Sequence, residues 1–124
     1  MQKCNVSLKF IVADNSGLKK VTCIANSKSG RQNKVCLGDF VVVSVYRGRY
    51  RKNFSYKKLC FGLILTLKRI LRRVSGYFIR FGENRILLFL HSEATVGNRL
   101  RGIISMESSY FQKTKLISSN KWVL

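Results

Sequence analysis

The residues of this chain best placed to do chemistry are cations with aromatic rings beside them. Lys68, Arg69, Arg72, Arg73 and Arg80 fall within one stretch, "LKRILRRVSGYFIR". Arg47, Arg49, Arg51, Lys52, Lys57 and Lys58 fall within another, "YRGRYRKNFSYKK", interleaved with Tyr46, Tyr50, Phe54 and Tyr56. Guanidinium forks match phosphate oxygens bidentately, and ammonium groups neutralise them as point charges. Aromatic rings beside such cations stack on unpaired bases. The chemistry on offer is therefore recognition of a polyanion. The alternative for the arginines is a merely solvated face, and for the aromatics the filling of the end of a fold.

Charge balance weighs on the first alternative. The 124 residues carry 24 Lys and Arg against five acids, Asp14, Asp39, Glu83, Glu93 and Glu107, a net charge of +19. Pairing every acid would still leave those 19 positive charges without a partner in the chain. Self-repulsion on this scale opposes compaction and calls for a polyanionic partner, either a phosphate backbone or an anionic membrane. The cations run from Lys3 to Lys121, interleaved with apolar runs, so the folded surface itself is basic. A hydrophobic content of 46% is enough for a real core, and the length suits one domain over residues 1–124.

Catalysis and metal binding have little support. Cys4, Cys23, Cys36 and Cys60 have 18, 12 and 23 residues between them, no CxxC pair exists, and His91 is the single histidine. Reduced cysteines acting as small buried hydrophobes are the simpler expectation. No His/Cys/Asp cluster and no glycine-rich phosphate loop stands out, so neither an enzyme nor a cofactor is expected. The N-terminus lacks a secretory cleavage pattern. The longest uncharged stretch, "LCFGLILTL" over 59–67, has nine residues and is far short of a membrane span.

The elements that must position the cations are short. Apolar runs at 8–13, 20–25, 40–46, 59–67, 77–81 and 85–91 alternate with turn signals such as "DNSG" (14–17) and "GEN" (82–84). Six short strand candidates predict a small antiparallel barrel. The last third, with "SMESSYFQKTKLISS" over 105–119, predicts one or two short helices. Asp14 and Asn15 are expected to cap the first turn, and Asp39 to act likewise after Gly38. Residues 63–74 carry two periodicities. Leu63, Leu67, Ile70, Leu71 and Val74 fit a basic amphipathic helix lying on a membrane. Leu59, Phe61, Leu63, Leu65 and Leu67, with the Ser75-Gly76 turn and "YFIRF" after it, fit a β-hairpin. Agreement across these local signals favours the hairpin and leaves the membrane helix as its rival.

Several blocks in order carry a resemblance: "VADNSGLKKVTCI" (12–24), "GDFVVVSV" (38–45) and "GLILTLKRILRRVSGYFIRFGEN" (62–84). With weaker echoes at "GNRLRG" (97–102), "KLISS" (115–119) and Val123-Leu124, the chain resembles the universal large-subunit ribosomal protein fourteen family, of bacterial and organellar type. The resemblance implies a mainly β fold: a five-stranded β-barrel with a projecting basic β-ribbon and a short helical C-terminal part. It implies a structural constituent of the large ribosomal subunit that binds rRNA. Its implied partners are large-subunit rRNA, neighbouring large-subunit proteins, small-subunit rRNA across an intersubunit bridge and a ribosomal silencing factor, with no membrane. The rRNA-binding residues would be Lys19 and Lys20 after the "DNSG" turn, the 47–58 cluster and the 68–80 cluster. Arg99 and Arg101 would lie towards the intersubunit face. The family pattern has proline and an acid where Val74 and Ser75 stand, and aspartate at Gly82. A free single-strand-binding barrel of cold-shock type is the remaining alternative.

Localisation is expected to be mitochondrial, with a plastid or a bacterial cytoplasm as alternatives. Proline is absent, where average usage of ~5% would give about six, and Lys, Asn, Ile and Phe are plentiful, as in AT-rich organelle genomes. Encoding inside the organelle would account for the lack of a presequence.

Overall fold

The computed structural model describes residues 4–5, 8–26, 34–48, 59–89, 96–97, 99–109 and 123–124. In chain order the elements are β1 (Cys4–Asn5), β2 (Lys9–Val12), β3 (Leu18–Asn26), β4 (Lys34–Val35), β5 (Phe40–Gly48), β6 (Leu59–Thr66), β7 (Leu71–Arg72), β8 (Phe78–Ile79), β9 (Arg85–Phe89) and α1 (Met106–Ser109). Strands β2, β3, β5, β6 and β9 close a five-stranded barrel. Its neighbours are antiparallel except where β2 meets β9 in parallel, with Ile11 opposite Arg85 and Val12 opposite Ile86. Closure gives every barrel strand a neighbour on both sides, which removes the open sheet edge.

Period-two alternation explains the interior. Phe10 and Val12 on β2, Val21 and Cys23 on β3, Val41 and Val43 on β5, Cys60 and Ile64 on β6, and Ile86 and Leu88 on β9 turn inward into one cluster. The β-branched run of β5 suits such a pleated, half-buried surface. Strands β6 and β9 depart from alternation because their outward residues are buried too. Leu63, Leu65, Leu87 and Phe89 pack with Ala13 and Ile104 in a second cluster, and Phe40 packs on Phe89 with ring centroids 5.3 Å apart. The cover is the C-terminal segment. Ser105 N–H donates to the Leu65 carbonyl at 3.2 Å, and Ile104 bridges in parallel to Val123. The unbroken apolar run at 59–67 thus supplies barrel strand β6, which is buried on both faces from Gly62 onward while Leu59 and Phe61 stay exposed.

The membrane-helix alternative for 63–74 is overturned. Leu63 to Thr66 belong to barrel strand β6, and Leu71–Arg72 form β7 in a ribbon with β8. The hairpin expectation holds in a modified form. Phe78 and Ile79 of "YFIRF" pair with β7, and its contact with the 59–67 run is a single hydrogen bond from Phe81 N–H to the Leu67 carbonyl at 3.3 Å, while β6 itself pairs with β5 and β9. The ribbon is an excursion inserted between two neighbouring barrel strands. A small β1–β4 sheet, with Cys4 opposite Val35, has no counterpart in the sequence pattern, since two-residue strands leave no periodicity to read. The predicted C-terminal helix appears as α1, four residues long; residues 110–119 of the same prediction lie outside the described residues. No helix among the described residues is long and apolar enough to cross a membrane.

Candidate nucleic-acid interface

The ribbon is the first part of the interface. Leu71 faces Ile79 and Arg72 faces Phe78 across two antiparallel residue pairs. Its turn is closed by hydrogen bonds from Arg73 N–H to the Tyr77 carbonyl and from Gly76 N–H to the Arg73 carbonyl, both 3.0 Å. Gly76 takes φ of 88°, a left-handed conformation that favours glycine. Leu71 is buried against the barrel core, and Ile79 and Phe81 pack on it, so the base of the ribbon is anchored. Asn84 fastens that base further. Its side-chain oxygen accepts from Lys68 N–H at 2.7 Å, and its carbonyl accepts from Ile11 N–H at 2.8 Å.

This frame holds Lys68, Arg69, Arg72 and Arg80 exposed to solvent. Arg73, predicted with them, is placed differently. It forms a forked ion pair with Glu107, Nε to Oε1 at 3.1 Å and Nη2 to Oε2 at 3.3 Å, and Nη2 also donates to the Leu124 carbonyl. Both side chains are mostly buried, 23% and 18% exposed. Arg73 therefore ties the ribbon to α1 and the chain end. Glu107, one of the five acids, thus takes its partner from this cluster; it is 34 positions away in sequence and only the fold brings it near.

The second part is a groove of about 560 Å³ on the barrel wall, lined among others by Asp14, Asn15, Lys19, Lys20 and Arg101. Lys20 and Arg47 are direct cross-strand partners in the β3–β5 register. Like charges placed opposite each other are destabilising, and a bound anion relieves that repulsion. The sequence assigned Lys19 and Lys20 to one partner and Arg101 to another, whereas the fold gathers them in one groove. Asn15 makes this possible. Its N–H donates to the Arg99 carbonyl at 3.2 Å and its side-chain oxygen accepts from Arg99 N–H at 3.1 Å, while Arg101 N–H reaches the Ala13 carbonyl at 3.0 Å. The 99–101 segment is thereby docked along the end of β2 with the side chains of Arg99 and Arg101 exposed.

Asp14 caps its turn as expected, accepting from Ser16 N–H at 3.1 Å. Burial raises its carboxyl pKa above the ordinary 3.8, partly offset by hydrogen bonds. Asp39 likewise accepts from Cys36 N–H at 3.0 Å and from the Asn26 side chain at 3.2 Å. Arg85 is a bracing residue that nothing in the sequence singles out. Its guanidinium donates to the carbonyls of Ile103 and Arg101, and a Cβ on Gly102 would overlap it. Burial lowers its pKa, with Glu83 opposing the shift. A single arginine at a strand start carries no sequence signal for this bracing role.

Arg49, Arg51, Lys52, Lys57 and Lys58, with Tyr50, Phe54 and Tyr56, lie outside the described residues. Tyr46 is exposed on β5, with Lys9 Nζ 5.7 Å from its ring centroid. Cys23 and Cys60 are buried in the barrel core, and burial pushes the Cys23 thiol up to about 11, far from nucleophilic character near neutrality. Among the described residues no group of three or more His, Cys, Asp or Glu could hold a metal ion.

The geometry is thus a rigid basic barrel with a basic prong and no assembled catalytic group among the described residues. Comparison with known proteins bears on what such an object is. The chain is 30% identical over 122 residues to the Dictyostelium discoideum protein described as large ribosomal subunit protein uL14m, covering 93% of this chain and 95% of that one. It is 28% identical over 99 residues to the Eimeria tenella large ribosomal subunit protein uL14c, covering 80% and 81%. The family model described as ribosomal protein L14p/L23e matches residues 3–124. The chain belongs to this ribosomal protein L14p/L23e family, the universal large-subunit family that its sequence blocks resemble, and is a structural ribosomal protein and not an enzyme.

Proposed function

We propose that this chain is an rRNA-binding constituent of a mitochondrial large ribosomal subunit. The observation that carries the reading is the ribbon. Lys68, Arg69, Arg72 and Arg80 are exposed on a narrow two-stranded arm whose base is locked to the barrel. An arm of this width enters folded RNA where a whole barrel cannot, and its long side chains reach phosphates on either side. The groove bearing Lys19 and Lys20, with Arg47 nearby on β5, holds a second RNA segment against the barrel, and Arg101, which also lines it, is assigned to the intersubunit face. The protein's work is architectural: it neutralises phosphates and fixes RNA segments relative to one another.

Arg99 and Arg101, exposed on the docked C-terminal segment, are proposed to face small-subunit rRNA across an intersubunit bridge. A silencing factor that blocks subunit joining would compete for the same face. Neighbouring large-subunit proteins complete the set of partners. The mitochondrial assignment is supported by the mitochondrial-type name of one relative, and the plastid alternative by that of the other.

The test is sedimentation of lysates from purified mitochondria and, separately, plastids through sucrose gradients. Co-migration with the mitochondrial large subunit through a moderate-salt wash is the expected result. Co-migration in the plastid gradient alone would move the protein to that organelle. Recovery with membranes or at the top of both gradients would refute the ribosomal reading.

A further inference from the structure

The ribbon also carries apolar groups where solvent would be expected. Val74 is fully exposed at the turn, and Tyr77 and Phe78 are 76% and 65% exposed on the strand returning from it. The guanidinium of Arg72 lies 5.4 Å from the Phe78 ring centroid, on the residue directly opposite in the register. A cation over one aromatic face holds the ring in place and leaves its other face presented outward. Tyr77, the adjacent residue, offers a second exposed ring beside the turn.

Neither ring serves the fold. Leu71, Ile79 and Phe81 supply the anchoring contacts with the barrel core, and Tyr77 and Phe78 contribute nothing to that cluster. Large exposed rings on a projecting arm mark a surface that is covered in the working assembly. Charge identifies the occupant. Residues 68–82 hold no acid, and with Arg73 taken up by Glu107 they still present Lys68, Arg69, Arg72 and Arg80, so the surroundings attract a polyanion and repel a basic partner. Among polyanions, single-stranded RNA presents flat unpaired bases for rings to stack on, while a duplex presents only phosphates and groove edges.

We infer that Tyr77 and Phe78 are a base-stacking tip, each taking an unpaired nucleobase of RNA while Arg72 and its cationic neighbours hold the adjoining phosphates. The inference rests on the rRNA-binding role proposed above. It adds to that role a readout of RNA that is looped or bulged at the point where the ribbon enters.

Large subunits carrying the full chain provide the test. Ultraviolet irradiation followed by trypsin should leave the peptide of residues 74–80 cross-linked to an RNA base. In subunits containing Tyr77→Ser with Phe78→Val, that cross-link should disappear, and one or two bases near the ribbon should become about fivefold or more reactive to base-specific methylation. This matches ~1–3 kcal/mol of stacking removed per base. Both side chains are exposed, so the variant should keep the wild-type thermal midpoint. Unchanged base reactivity would overturn the inference, as would cross-linking of the same peptide to a neighbouring protein. A chain retained on the subunit and sensitive to removal of its cations, yet indifferent to removal of these rings, would defeat the stacking tip and leave the proposed function standing. A chain absent from large subunits would defeat both.

Discussion

The barrel and the ribbon are built from similar sequence, short apolar runs laced with cations, yet they are stabilised in different ways. Barrel residues face inward from five closed strands and outward, on β6 and β9, against the C-terminal segment, so Ile64, Leu65, Ile86, Leu87 and Phe89 are wholly buried. The ribbon has two residue pairs and a glycine turn. A two-stranded hairpin of this kind is marginal in water by itself. Its geometry is borrowed from the barrel through Leu71, Ile79, Phe81, the Asn84 hydrogen bonds and the Arg73–Glu107 pair. Stability therefore resides in the barrel, and the charged and aromatic groups reach out from the ribbon. For the rRNA-binding role proposed above this division is an advantage, because residues at the tip can vary for contact with RNA without weakening the core.

The largest effect should come from breaking the barrel. Ile86→Ala removes a fully buried side chain on β9 and should lower unfolding free energy by about 3 kcal/mol in denaturant titration, a large share of a total of ~5–15 kcal/mol. The ribbon should behave in the opposite way. Lys68→Gln, Arg69→Gln and Arg72→Gln together should leave the unfolding midpoint nearly unchanged and weaken retention on the large subunit roughly tenfold. The salt dependence should also flatten, by roughly 0.7–0.9 in slope for each phosphate no longer neutralised. Unaltered retention would remove the ribbon from the RNA interface.

The junction between the two regions should give a smaller signal. Arg73→Gln and Glu107→Gln, singly and combined, form a double-mutant cycle whose coupling in thermal unfolding is expected near ~0.5–1 kcal/mol, the upper range for a partly exposed pair. A coupling of zero would mean that the forked pair does not hold the ribbon to α1. The smallest effect concerns Asp14. Its folded pKa is raised above 3.8 by burial, so the folded state holds the proton more tightly than the unfolded chain. The associated stability is fully present below pH 3.8 and is lost as pH rises through the folded pKa. Asp14→Asn keeps an acceptor for Ser16 N–H and should flatten that part of the stability–pH curve. A curve identical to wild type would show that the carboxyl titrates normally.

Much of this was legible in the residues themselves. Apolar runs bounded by turn signals announced barrel strands at 8–13, 20–25, 40–46 and 85–91, and in the first three a half-buried pleated surface imposes alternation and β-branched residues directly. The turn at Ser75-Gly76 and the capping roles of Asp14 and Asp39 are local chemistry and needed no tertiary context. The dual periodicity at 63–74 could not be resolved locally, since an apolar residue at a given spacing reports burial and not its direction. Leu63 and Leu65 look like a helix or exposed strand face until the C-terminal segment is known to cover them.

The amino-acid sequence by itself determined the charge of the protein. A net charge of +19 is spread along the whole chain wherever the strands run, which makes a polyanion the natural counter-charge. Tertiary structure alone decided which cations work together. It gathered Lys19, Lys20 and Arg101 into one groove, diverted Arg73 to Glu107, and set Arg85 to bracing the 101–103 backbone. Residues separated by 16, 34 or 51 positions meet only when the barrel closes, and ion pairs and hydrogen bonds depend on that distance in space.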